Sequence, residues 1–294
     1  MTKKKHRSPK EKPISAVIRV IILCLIALAI LIPFYVILIT SLKKSNALAI
    51  KSPFVWFPQF SDLSLRAYRN LFTTYTVKKT GYSLIVSGML NTWKIMVPCL
   101  SIGMFCSSIS AFAFAKLRFP HKNTLFALLL GSMMLPGVVL IVPQYLIYDT
   151  IGWVNTLLPV MVPGMFGSAM AVFFLRQYYS KIPDSVIEAA KIDGLGFFGI
   201  YVRLILPLAA PGLIAQAVMG FIGILNDYIG PLIYLQTEDK YTLQVSLQMF
   251  TGGNNQDLPV IMAGAFFAML PSFLIYILAQ KYFIEGITFS GLKE

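Results

Sequence analysis

Six long apolar stretches constrain this chain more than any other feature of its sequence. A helix needs about 20 consecutive apolar residues to cross a bilayer. One stretch is free of charged residues from Ile95 to Ala115, and another from Asn123 to Tyr148. The six predicted spans cover roughly residues 20–42, 95–115, 124–147, 154–175, 204–235 and 258–281. We therefore predict an all-α polytopic membrane protein with six transmembrane helices.

The composition agrees with a membrane location and argues against a water-soluble domain. Hydrophobic residues make up 57% of the chain and charged residues 13%, whereas a soluble domain carries about 25% charged residues. The net charge of +13 is explained by basic residues that face the anionic lipids of the cytoplasmic leaflet, so we expect membrane lipids and no nucleic acid as partners. Cys24, Cys99 and Cys106 all fall inside spans. We expect them to pack as small apolar side chains and not to form disulfides or bind a metal.

The first apolar stretch is predicted to be an uncleaved signal anchor. It follows the basic run Lys3-Lys4-Lys5-His6-Arg7 and is longer than the apolar core of a signal peptide. The residues that follow it are Thr40-Ser41-Leu42-Lys43, which do not form a small-x-small cleavage site. We expect a basic cytoplasmic tail over residues 1–13 and one transmembrane domain over residues 14–294.

The distribution of Lys and Arg predicts the orientation. With six spans both termini lie on one side, which collects sixteen basic residues, while the opposite side has eight. Seven of those eight lie in the loop of residues 43–87, which departs from the rule. Because reversing the chain worsens the asymmetry, we predict cytoplasmic termini in the cytoplasmic (inner) membrane. Loop 43–87 is then extracytoplasmic, and loop 176–203 is cytoplasmic.

The extracytoplasmic loop has two parts. Residues 52–58 are punctuated by prolines and are predicted to be non-helical. Leu65, Tyr68, Leu71 and Phe72 follow helical spacing, which predicts a short helix along the membrane surface. The spans also contain many Pro and Gly residues, which favour a bundle that bends, although a static bundle tolerates kinks as well.

Loop 176–203 is predicted to contain a helix of about ten residues, too short to span the membrane. Pro183 suits the first helical turn, and Asp184 favours that turn electrostatically. Gly194 is placed to end the helix in the left-handed conformation. The apolar residues of the segment, which give it partial amphipathicity, are Val186, Ile187, Ala190 and Ile192.

The outer face of this helix has the features of a docking element. Ala189 and Ala190 are small enough to let the helix seat closely in a cleft. Glu188 and Asp193 offer carboxylates to basic groups in such a cleft. We therefore interpret the helix as a segment that another protein binds.

Glu188-Ala189-Ala190, Gly194, Leu204 and Leu206-Pro207 resemble the E-A-A loop of the membrane subunits of ABC importers. The family usually has isoleucine where Leu204 stands.

Three further segments extend the resemblance over most of the chain. Residues 221–232 resemble the fifth-span signature of carbohydrate importers, which often has tryptophan at the position of Leu225. Residues 280–288 resemble their C-terminal signature, and the segment from Phe57-Pro58 to Tyr68 is similar to their outer loop. Together these segments resemble the second, six-span permease subunit of maltose-type sugar importers, with the transmembrane fold of type I ABC importers.

The resemblance implies import of a sugar or oligosaccharide by alternating access. It implies two copies of an ABC ATPase, a homologous second permease subunit and an extracytoplasmic solute-binding protein as partners. ATP and Mg²⁺ would bind to the ATPase, since this chain has no G-x-x-x-x-G-K-[ST] loop and no cofactor of its own. The residues expected to couple to the ATPase are Glu188, Ala189, Ala190, Asp193, Gly194, Leu195, Leu206 and Pro207.

Asn226 and Asp227 are the candidate residues of the translocation pathway. They lie in the outer half of the fifth predicted span, and carboxylates inside a membrane are functional candidates by default. Two other interpretations of Asp227 remain open at this point: a place at the hydrated outer end of the span, and a cap for a neighbouring helix.

Two other classes of function fit the sequence less well. A self-contained secondary transporter or channel should show an inverted repeat or paired buried acids, and only Asp227 is present. A membrane-embedded enzyme needs clustered His, Asp or Glu residues, yet the two histidines, His6 and His121, both fall in predicted cytoplasmic loops. We therefore expect no catalytic or metal-binding residues.

Overall fold

A computed structural model describes the backbone of residues 13–51, 54–252 and 257–291, and it describes side chains within these ranges except for residues 13–16 and 282–291. The predicted basic tail, apart from its last residue, lies outside the described residues. So do Ser52 and Pro53 of the extracytoplasmic loop and the side chains of most of the C-terminal signature.

The described part of the chain is helical, with two isolated β-bridges that pair Lys43 with Leu63 and Thr76 with Ser83. The first eight helices are α1 (Pro13–Ser41), α2 (Asn46–Ala49), α3 (Arg66–Thr73), α4 (Leu84–Pro98), α5 (Met104–Lys116), α6 (Lys122–Ser132), α7 (Gly137–Thr150) and α8 (Leu158–Met165). The other eight are α9 (Ala169–Ser180), α10 (Asp184–Ile192), α11 (Phe197–Ile200), α12 (Leu206–Leu208), α13 (Ala210–Asn226), α14 (Ile229–Tyr234), α15 (Leu243–Met249) and α16 (Leu258–Gly291). A 3₁₀ turn covers Phe60–Asp62, and π-helical turns cover Cys99–Gly103 and Tyr201–Ile205.

Four continuous helical segments of the described chain are long and apolar enough to cross a membrane. They are Val17–Ser41, Leu84–Lys116, Leu158–Ser180 and Leu258–Lys281. Two further pairs of helices reach that length together but are bent, by 92° between α6 and α7 and by 78° between the segment Phe197–Leu208 and α13. Counting each bent pair as one span gives the six spans that the hydropathy pattern predicts.

The second span begins at Leu84, eleven residues before the predicted start. The sequence around Asn91 is polar, yet its polar groups find partners within the protein. The Asn91 amide donates to the carbonyl oxygens of Asp239 and Tyr241 at 2.9 and 3.0 Å. The Thr92 hydroxyl donates to Gly88 and accepts the amide of Leu243, both at 2.9 Å. A buried polar group with a hydrogen-bond partner is tolerated in a membrane helix.

The fifth span is shorter than predicted, and its predicted extent to residue 235 is wrong. Helix α13 ends at Asn226, the chain is extended at Asp227, and α14 starts afresh at Ile229. The third span is also broken, because Pro136 takes an extended conformation between α6 and α7. Proline lacks the amide that would continue a helix, so the sequence marks that bend.

One compact unit of the chain comprises the described residues up to Asn70 together with residues 257–266. The Arg66 guanidinium lies 2.7 Å from a carboxylate oxygen of Asp257. The Asn46 side chain accepts the backbone amide of Leu258 at 3.1 Å. These contacts join residues that are 191 and 212 positions apart in sequence. The predicted loop helix is present as α3, which begins in this unit at Arg66 and buries the Ala67 side chain.

The second compact unit comprises residues 71–252 and the described residues from Phe267 onward. Here α5 packs along α9, and the π-helical turn at Cys99–Gly103 packs against α8. The backbones approach closely where glycines meet, because a Cβ atom at Gly103 would collide with the carbonyl oxygen of Gly164. Small residues allow such close helix packing in membranes.

We predict that Gly103→Ala destabilises the protein by about 1–3 kcal/mol, because the added methyl group must displace the Gly164 backbone. The measurement is thermal unfolding of the detergent-purified protein. Gly131→Ala is the matched control, since a Cβ atom at this helical glycine meets nothing within 4 Å. Equal melting temperatures for the two variants would contradict the close approach.

Candidate functional site

Helix α10 begins where the predicted docking helix was expected, and it is nine residues long. Pro183 precedes it with φ −60° and an extended ψ of 137°, so the helix starts at Asp184. Lys116, the last residue of α5, holds this start in place: its ammonium group lies 2.6 Å from the Asp184 carboxylate and 2.5 Å from the carbonyl oxygen of Ile182. A side chain of the second span thus anchors the loop.

The hydrogen bond from Lys116, followed by its positive charge, lowers the pKa of Asp184 below the ordinary value. The carboxylate therefore stays ionised at neutral pH. A negative charge in the first turn also interacts favourably with the partial positive charge at a helix N-terminus. Both effects stabilise the start of α10.

Helix α10 ends in a Schellman motif, as the position of Gly194 predicts. Gly194 has φ +85°, in the left-handed region that favours glycine. Its amide donates to the carbonyl of Lys191, and the amide of Leu195 donates to that of Ala190, both at 3.0 Å. These two bonds satisfy carbonyl groups that the end of a helix leaves free. A Cβ atom at Gly194 would meet nothing within 4 Å, so the backbone conformation alone favours glycine here.

The two faces of α10 differ sharply. Ile187 and Ala190 are buried, whereas Glu188, Ala189 and Ile192 are exposed, Ile192 to 86%. Ala189 therefore lies on the exposed face, whereas Ala190 lies beside Ile187 on the side that packs into this chain's own core.

The other predicted coupling residues divide in the same way. Asp193, Gly194 and Pro207 are exposed together with Glu188 and Ala189. Leu195 and Leu206 are partly buried and pack against the hydrophobic core. The free surface of the loop is thus carboxylate-bearing, while its leucines attach it to the spans.

The inner face of α10 belongs to a hydrophobic cluster that reaches deep into the bundle. Ile187 and Ala190 share this cluster with side chains of α5, α9 and the π-helical turn that follows α11. The other buried members are Ala111, Phe112, Val172, Leu175, Tyr179, Ile200, Tyr201, Ile205 and Ala209. The loop helix is therefore packed as a part of the span core.

A buried group of three hydroxyls joins the same elements, although no motif in the sequence predicts it. The Ser108 hydroxyl lies 2.6 Å from that of Tyr179 and 2.9 Å from that of Tyr201. All three side chains are buried. We call these residues the hydroxyl triad. It connects α5, α9 and the segment after α11 by hydrogen bonds that do not depend on water.

Two hollows flank the exposed side of α10. One has a volume of about 440 Å³, and its charged lining residues are Lys116, Arg118, Lys122, Asp184, Glu188 and Lys191. The other, of about 410 Å³, is lined mainly by small and apolar residues. The exposed ridge of the helix therefore stands between a charged and a largely apolar depression, a shape suited to contact with another protein.

The candidate pathway residues Asn226 and Asp227 lie apart from this site, at the end of α13. The Asn226 amide donates to the Ile222 carbonyl at 2.9 Å, and its oxygen accepts from Gln244 at 3.3 Å. The Asp227 carboxylate lies close to the backbone of Gly230 in the first turn of α14. Its role in the pathway stays a prediction.

Comparison with known sequences shows the family. The family described as "Binding-protein-dependent transport system inner membrane component" matches residues 10–288. This chain belongs to that family. As a member, it is a multi-pass permease of an importer that works with an ATPase and a solute-binding protein.

Individual relatives agree with this assignment. A probable ABC transporter permease protein of Pyrococcus horikoshii is 34% identical over 204 residues, which is 69% of this chain and 74% of that protein. The arabinooligosaccharides transport system permease protein AraQ of Bacillus subtilis is 29% identical, with 92% of both chains covered. The melibiose/raffinose/stachyose import permease protein MelC of the same organism is 29% identical, with 92% of this chain and 94% of that protein covered.

A solved structure confirms the fold of the permease. One chain of a bacterial ABC transporter involved in the import of the acidic polysaccharide alginate matches with a TM-score of 0.78. The match covers 95% of this permease and 100% of that chain at 22% sequence identity. The type I importer fold that the sequence resemblance implies is therefore confirmed.

We predict that Gly194→Val loosens α10, because a β-branched residue is strained at φ +85°. Hydrogen–deuterium exchange of the amides of residues 185–192 should accelerate about tenfold, in line with a strain of about 1–2 kcal/mol. Gly196→Val is the control: Gly196 has φ −71° and open space around it. Equal exchange rates in the two variants would show that the left-handed conformation of Gly194 does not stabilise the end of α10.

The hydroxyl triad gives a second prediction. Ser108→Ala leaves the buried Tyr179 hydroxyl without a partner and should lower the free energy of unfolding by about 1–2 kcal/mol. Thermal unfolding in detergent measures this loss. Ser132→Ala, which removes an exposed hydroxyl bonded only to its own helix at Leu129, should change the melting temperature little. A Ser108→Ala variant as stable as the Ser132→Ala variant would show that the triad adds no stability.

Proposed function

We propose that this permease carries a sugar or oligosaccharide across the cytoplasmic membrane, with α10 as the helix that couples it to a separate ABC ATPase. The observation that supports this most is the build of α10: its outer face presents Glu188, Ala189 and Asp193, while its inner face is packed into the span core. Such a helix transmits a movement of the bound ATPase to the spans.

The sugar specificity is proposed from the relatives that cover nearly the whole chain. AraQ is named for arabinooligosaccharides, and MelC for melibiose, raffinose and stachyose. Both align over 92% of this permease. We infer that the solute is a neutral, hydroxyl-rich molecule of this class.

The orientation follows from the basic residues at the span ends. Cytoplasmic termini place α10 in the cytoplasm, where the ATPase binds ATP and Mg²⁺. The loop of residues 43–87 then faces the solute-binding protein on the outside. We propose that two ATPase copies and a homologous second permease subunit complete the importer.

The proposed mechanism is alternating access driven through α10. Closure of the ATPase on ATP moves the outer face of α10. Ile187 and Ala190 pass this movement to α5 and α9, because they share one close-packed core. Lys116 adds a direct bond from the end of α5 to the start of α10. Asn226 and Asp227, at the end of α13, are proposed to border the outer part of the pathway.

Purification of the assembled importer tests this proposal. Membranes that express the importer genes together should yield the permease with a copurifying ATPase. After reconstitution into proteoliposomes, ATP and the binding protein should drive uptake of at least one of radiolabelled melibiose, raffinose and arabinotriose. Transport by the isolated permease without companion chains would contradict it.

Charge reversal on the outer face of α10 gives a sharper test. Glu188→Arg should reduce copurification of the ATPase, and with it ATP-driven uptake, about tenfold or more, because a carboxylate that pairs with a basic group is replaced by a repelling charge. Glu238→Arg, at an exposed glutamate between the predicted fifth and sixth spans, should leave copurification unchanged. If both variants retain the ATPase equally, the docking role of α10 is wrong.

A further inference from the structure

A groove of about 260 Å³ lies where α13 faces the π-helical turn at Cys99–Gly103 and the helices α8 and α9. Its polar lining side chains are Ser107, Ser168 and Gln216. None of the described residues that line it is charged. The groove therefore favours a neutral polar molecule over an ion.

Gln216 is the most unusual residue of this groove. Its side chain is only 8% exposed, yet its amide oxygen accepts no hydrogen bond from any described residue. A polar group inside a membrane helix is unfavourable without a partner, and such residues commonly mark a substrate pathway. The amide oxygen is thus an acceptor that this chain does not use.

The two serines add free donors. The Ser107 hydroxyl accepts the amide of Ser168 at 3.2 Å, and the Ser168 hydroxyl accepts that of Ala171 at 3.1 Å. Each oxygen accepts a bond from the backbone and still carries its own O–H proton. The groove therefore offers hydroxyl donors beside the Gln216 amide.

Gly223 keeps the groove open. It lies seven residues after Gln216 and so on the same face of α13, with Gly220 between them. A Cβ atom at Gly103, Gly164 or Gly167 would collide with a neighbour, whereas one at Gly223 would meet nothing within 4 Å. Packing within this chain explains why glycine stands at the first three positions. It does not explain Gly223, whose missing side chain leaves room for something outside the chain.

We propose that this groove receives one sugar ring of the transported solute, with the Gln216 amide bonded to its hydroxyl groups. This assignment rests on the proposed function and adds that this subunit itself contacts the solute. A sugar hydroxyl both donates and accepts, which matches an amide beside two serine hydroxyls. The apolar walls at Leu100, Met104 and Ile224 suit the C–H faces of a ring.

The size of the groove agrees with a single ring. Pockets for drug-sized ligands measure about 300–1,000 Å³, and this groove, at about 260 Å³, is smaller than that range. An oligosaccharide would therefore pass through it one ring at a time.

The test uses the reconstituted importer and whichever of radiolabelled melibiose, raffinose and arabinotriose the wild type transports. Gln216→Met keeps the side-chain length but removes the amide. It should raise the KM for uptake about threefold to tenfold, because the sugar loses one or two hydrogen bonds. The maximal rate of ATP hydrolysis should stay unchanged.

Gly223→Leu should reduce uptake about tenfold by filling the groove. Gly131→Leu, at another open helical glycine, is its control and should transport normally.

Three results would overturn the assignment, and they differ from one another. A wild-type importer that moves none of the three sugars refutes the proposed function and this assignment with it. Wild-type uptake together with an unchanged KM in Gln216→Met refutes the assignment alone. Loss of the second permease subunit from the purified Gln216→Met complex would show that the groove is a contact between subunits and not a sugar site.

Discussion

The attachment of α10 to the span core is the interaction on which the rest of this permease depends. A nine-residue helix is too short to be stable by itself in water, so its position comes from Ile187 and Ala190 in the core and from Lys116 at its start. The same contacts allow α10 to transmit a movement to the spans. A helix held only by its flanking loops would move without moving the spans.

Two neighbouring residues of α5 connect the core around α10 with the groove that Gln216 lines. Ser107 lines the groove beside Gln216, and Ser108 belongs to the hydroxyl triad with Tyr179 and Tyr201. Successive residues of a helix point in different directions, so one turn of α5 contacts both regions. We therefore expect a shift of the core around the triad to change the shape of the groove.

The sequence predicts the features that depend on local chemistry. The apolar runs predict the spans, Pro136 marks a bend, and the position of Gly194 predicts the end of α10, since each follows from residues adjacent in the chain. Features that depend on distant partners were missed. The second span extends back to Leu84 only because Asn91 bonds to a segment some 150 residues away, and the hydroxyl triad joins three separate helices. Ile192, which the sequence places among the apolar residues of α10, is 86% exposed, because the core lies against Ile187 and Ala190.

A distance measurement between α10 and α9 tests the central claim that they move as one body. Spin labels are placed at Ile192 and Met170, both exposed, in a variant without the three native cysteines. Double electron–electron resonance is then recorded for the complete importer without nucleotide and after trapping with ATP and vanadate. The distance should remain the same within the width of its distribution. A clear change in this distance between the two states would show that α10 moves independently of the spans.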